Sequence, residues 1–93
     1  MICCFMNLHE QENSRDLVKH FDTEIEKAIL FGCKKFLSGT NHPEDVIFKE
    51  RVKKASEFYA NSEVEFVGIS ASDKELKELF IAVADWEIYA YET

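Results

Sequence analysis

Side chains able to do chemistry collect in three places along this chain. Asn7 and His9 follow a first apolar run. The stretch KKFLSGTNHPED, Lys34 to Asp45, then supplies Ser38, Gly39, Thr40, Asn41, His42 and Asp45, and Ser70 and Ser72 follow a third apolar run. Hydroxyls, amides and a glycine placed just before a helix start are the groups that hold an anion against outward-pointing helix N–H groups. Glu44 and Asp45 bring negative charge to the same helix start. Ser, Thr, Asn and Gly also serve as caps and turn formers, so an architectural role stands beside the ligand-binding one. His9 and His42 would form an acid–base pair if their loops meet, and otherwise read as exposed loop histidines. No nucleophile, base and orienting group come together, so no catalytic residue is assigned.

Cys3, Cys4 and Cys33 occur with three histidines in the chain, which invites a metal reading. Adjacent strand residues point to opposite faces, so Cys3 and Cys4 do not converge on one ion. Their spacing matches no structural zinc pattern. The thiols read as small buried apolar side chains, and no metal and no cofactor is expected.

The elements that must position these groups follow from the apolar pattern. Ile2–Asn7 is a continuous apolar run, as in a strand covered on both faces. Leu17, Val18, Phe21, Ile25, Ala28 and Ile29 fall three and four apart, predicting a helix from Ser14 to Phe31 with Ser14 as N-cap and Gly32 as its left-handed stop. Lys35–Ser38 reads as the second strand. A helix to about Ala60 opens on Pro43, whose missing N–H costs nothing there. Val64–Ser70 is a third strand, with Glu65 hinting at an edge. Ser72 and Glu75 match a capping box ahead of Leu76, Leu79, Phe80 and Val83. Trp86–Glu92 is read as a fourth strand because aromatic and β-branched residues suit a pleated surface.

Strands alternating with helices predict a single Rossmann-like α/β domain over residues 1–93, three layers deep. Right-handed crossovers give a four-stranded parallel sheet of order 3-2-1-4, helices on both faces, two on one side and one on the other. The thinly covered face predicts a homodimer burying residues near Phe80, Trp86 and Ile88.

Ninety-three residues and a composition 46% hydrophobic suffice for one packed core. A formal net charge of −7 repels phosphate backbones and argues against direct nucleic-acid binding. The same charge leaves room for a basic protein partner. No apolar run is long enough to span a membrane. The N-terminus has no basic region or small-residue cleavage site, and the odd cysteine count suits a reducing cytoplasm.

Several short stretches resemble the YpsA-like branch of the SLOG superfamily. They are Cys3-Cys4-Phe5, Glu26-Lys27-Ala28-Ile29 before Gly32, and Phe36-Leu37-Ser38-Gly39. Asp45 stands at the spacing of the family's Gly-x-Asp aspartate with Glu50 beyond it, and Ala84-Asp85 precedes Ile88-Tyr89. Met6-Asn7-Leu8-His9-Glu10 replaces the family's Thr-Gly-His-Arg-Pro, and Pro43 replaces a glycine. The resemblance implies a truncated, repurposed Rossmann-like domain for nucleotide-derived ligands.

The function expected is thus a small non-enzymatic protein, acting as a dimer, that binds a nucleotide-like ligand or a protein. The alternative of another class is an acidic inhibitor of a nucleic-acid-handling enzyme, of the phage counter-defence (anti-CRISPR) type. A third is a hydrolase of nucleotide N-glycosidic bonds, which the resemblance permits.

Overall fold

The computed structural model describes residues 1–6 and 14–89, the side chains of residues 14–16 excepted. The chain runs β1 (Ile2–Met6), α1 (Ser14–Leu30), β2 (Lys35–Gly39), α2 (Pro43–Phe58), β3 (Glu65–Ile69), α3 (Asp73–Val83) and β4 (Trp86–Tyr89). A 3₁₀ turn, Ala60–Ser62, joins α2 to β3. The strands form one parallel sheet in the order β3-β2-β1-β4, as the crossover rule requires. Residues 90–92 of the expected fourth strand lie outside the described residues.

β1 is central because it is apolar on both faces. Cys3 and Phe5 face α1 and α2, joining Phe21, Phe36, Phe48 and Ile88. Cys4 and Met6 face α3, joining Leu37, Leu76 and Phe80. The first face is built on aromatic rings. Phe5 meets Phe21 edge-on and stacks on Phe48, both at 4.8 Å between centroids, geometries that complement ring quadrupoles. Burial raises the Cys3 thiol pKa and pushes that of Cys4 up to about 12, so both stay protonated at neutral pH.

α1 stops where Gly32 adopts φ +106°. Cys33 N–H then reaches the Ala28 carbonyl at 2.9 Å and Gly32 N–H the Ile29 carbonyl at 3.0 Å, the paired bonds of a Schellman motif. Predicted to run to about Ala60, α2 ends instead at Phe58; the chain tightens into the 3₁₀ turn and leaves it through Glu63 at φ 54°. Arg51 holds Asp22 by two bonds of 2.7 and 2.8 Å, joining α2 to α1. Ile2 and Asp85 bond reciprocally at 2.7 and 2.8 Å, closing β4 onto β1 at the amino end of the sheet. Among the described residues no helix is long and apolar enough to cross a membrane.

Candidate functional site

The carboxyl end of a parallel sheet is where its ligands sit, because strands end there and helices begin. β2 delivers Ser38 and Gly39 to this rim, both buried. Asp45, the third residue of α2, is 5% exposed and turns its carboxylate back over the loop. Its Oδ2 accepts the backbone N–H groups of Asn41 and His42 at 3.0 Å each, while Ser38 Oγ approaches Oδ1 at 3.5 Å. The helix start that looked ready for an external anion is therefore filled by the chain's own carboxylate.

The same loop is fastened to the start of α3. Asn41 Nδ2 donates to the Ala71 carbonyl at 2.6 Å and to Asp73 Oδ1 at 3.3 Å. His42 Nε2 lies 2.8 Å from Asp73 Oδ2. The hydrogen bond that Asp73 accepts from His42 raises the His42 pKa above its ordinary value, and His42, with Asn41, lowers that of Asp73. Ser72 is committed too: its hydroxyl accepts from Glu75 N–H at 3.2 Å, the capping box read from the sequence. Of the predicted ligand set, Ser38, Asn41, His42, Asp45 and Ser72 thus serve the architecture of the rim. Asn7 and His9 lie outside the described residues, as does any meeting of His9 with His42. Ser70 is exposed just past β3.

Gly39 is closely packed, because a Cβ there would come within 2.5 Å of Leu76 Cδ1 and displace that side chain. It separates two concavities. On the α3 side a cleft of about 30 Å³, lined by Met6, Gly39, His42, Asp45, Asp73 and Phe80 among others, has room for little more than a water molecule. On the α2 side a hollow of about 520 Å³ opens between the β2–α2 loop and β3. Gly39, Thr40, Asp45, Val46, Lys49, Phe66 and Gly68 line it. Three of these, Gly39, Thr40 and Asp45, belong to the predicted set; Val46, Lys49, Phe66 and Gly68 do not. Their signal was present in part, since Lys49 follows Asp45 by four residues on one helix face and Phe66 and Gly68 share one strand face. Their meeting depends on β3 lying beside β2 in the register Ser38↔Gly68, which no local pattern shows.

The hollow is offset from the reversal in strand order between β1 and β4. Residues 7–13 and 90–93, which follow those two strands, are outside the described residues. A further groove of about 280 Å³ between α1 and α2 is spanned by the Arg51–Asp22 pair and by Tyr59 bonded to Glu26 at 2.9 Å.

The residues expected at a dimer contact do not share a surface. Phe80 is 1% exposed beneath α3, and Ile88, also 1% exposed, is packed on the opposite face beneath α1. Trp86 is half-buried against Phe31, ring centroids 5.3 Å apart. Phe80 repeats Leu76 four residues on, along the stripe that faces the sheet. The large apolar residues that α3 turns outward are Leu79 and Ile81. Comparison with protein families, with curated proteins and with solved structures gives no significant match.

Proposed function

We propose that this protein is a non-catalytic binding domain for a nucleotide-derived ligand, held in the hollow between the β2–α2 loop and β3. The hollow itself is the observation that carries this reading. At about 520 Å³ it falls within the range of about 300–1,000 Å³ typical of small-molecule sites, and it lies at the carboxyl rim. Its lining divides as such a ligand does. Phe66 and Val46 offer an apolar wall for a base, the Thr40 hydroxyl suits a sugar oxygen, and the Lys49 ammonium suits a phosphate. The resemblance to SLOG proteins points to the same ligand class.

A thermal-shift panel of mono-, di- and cyclic nucleotides tests the proposal, since a ligand bound only to the native state raises the melting temperature by mass action. At least one nucleotide should raise it by several degrees in the wild type, and Lys49→Glu should abolish that rise without lowering the unliganded melting point. No shift with any nucleotide at millimolar concentration would reject the reading.

A further inference from the structure

We propose that β3 is a pairing edge whose partner is a second copy of this chain, added antiparallel through Glu65–Ile69. Among the described residues β3 ends the sheet order, with β2 on one side only. Glu65 N–H donates to the Lys34 carbonyl at 2.7 Å. Along a strand, successive residues turn their N–H and C=O to alternate sides, so Glu65, Val67 and Ile69 address β2 while Phe66 and Gly68 address the open side. Gly68 is exposed and has no side chain, so what is exposed there is backbone. Edges are commonly guarded by lysine, proline or a bulge. β3 carries neither Lys nor Pro, and Glu65 at its first residue is its one charge.

The strand is complementary to itself. With a two-fold axis through Val67, Phe66 falls opposite the partner's Gly68 in hydrogen-bonded pairs, and Val67 falls opposite the partner's Val67. Glu65 then faces the partner's Ile69, which keeps the two acidic residues apart. Thr40 and Phe66 of the same chain already lie over Gly68, so the partner's ring packs on the diagonal beside Phe66, a separation that aromatic side chains span. Phe66 and Gly68 both line the hollow, so the partner's Phe66 becomes its outer wall. A strand from another protein could satisfy the backbone, but this side-chain match belongs to the chain's own sequence. The contact forms whether or not the hollow holds a ligand.

Sedimentation of the full chain over a wide concentration range tests the inference, together with two variants. The wild type should reach the mass of two chains. Gly68→Pro removes an outward N–H without touching the β2 ladder and should give a single-chain mass, with circular dichroism confirming the fold. Val67→Cys stands on the proposed axis, where Cα atoms of a non-hydrogen-bonded pair lie about 4.5 Å apart, within disulfide reach. The native cysteines Cys3, Cys4 and Cys33 are buried, so mild oxidation should cross-link this variant and leave Glu65→Cys, set well away from its copy, unlinked. A single-chain mass at every concentration would overturn the inference. So would a dimer indifferent to Gly68→Pro, or a Val67→Cys variant that does not cross-link. Should Gly68→Pro fail to fold, the cysteine pair still decides.

Discussion

The β2–α2 loop and the hollow beside it are built from adjacent residues and do opposite things with their polar groups. In the loop, Asp45 occupies two backbone N–H groups, and Asn41 and His42 reach across to Ala71 and Asp73. In the hollow, Thr40 and Lys49 are exposed beside Phe66 and Gly68. A buried polar group must find a partner inside the protein, whereas an exposed one can keep it for a ligand. Substitution of Asp45 and Gly39, which hold the loop together even where they border the hollow, should therefore move stability, and substitution of the exposed Thr40 and Lys49 should move affinity.

The largest effect is expected for Asp45→Ala. It strips the cap from α2 and leaves the Asn41 and His42 N–H groups without their acceptor, a loss of about 2–3 kcal/mol in chemical denaturation. An unchanged midpoint would mean that the loop is not self-filled. Gly39→Ala comes next. Its Cβ would meet Leu76 Cδ1 at 2.5 Å, and the displaced leucine should cost about 1–3 kcal/mol.

Smaller still is the tie between His42 and Asp73, exposed enough to contribute under about 1 kcal/mol. Because its partner raises the His42 pKa, that contribution is complete below the ordinary value of 6.5 and fades as pH rises through the higher folded value. Asp73, with its pKa lowered, contributes above its ordinary value of 3.8 and loses this as pH falls through the lower folded value. Melting temperature measured from pH 5 to 9 should decline more steeply in the wild type than in Asp73→Asn; parallel curves would remove the pair from the account. Lys49→Ala, the least costly to the fold, should change stability by no more than about 0.5 kcal/mol.

The fold was legible because its signals are local. The unbroken run from Ile2 marks a strand covered twice, Gly32 marks a left-handed stop, and Ser72 with Glu75 marks a helix start. Chirality of the crossovers then orders the strands. The site was legible only as a neighbourhood. Asp45 is visible as an acid near a helix start, where it suits the dipole, but its curl back onto Asn41 and His42 is a rotamer, which spacing does not reveal. Gly68 is an ordinary strand glycine until β3 lies beside β2 and places Thr40 against it. Phe80 and Ile88 were read as surface because a thin helical layer was expected to leave them bare; one faces the sheet and the other lies beneath the aromatic face.

The chain has three glycines, and they form a built-in set of reporters. Gly39 and Gly68 line the hollow, while Gly32 closes α1 at the opposite end of the sheet. Titrating a nucleotide into ¹⁵N-labelled protein should shift the Gly39 and Gly68 amide signals along saturable curves and leave Gly32 in place. Three stationary glycine signals, or a shift confined to Gly32, would contradict the assignment of the hollow as the binding site.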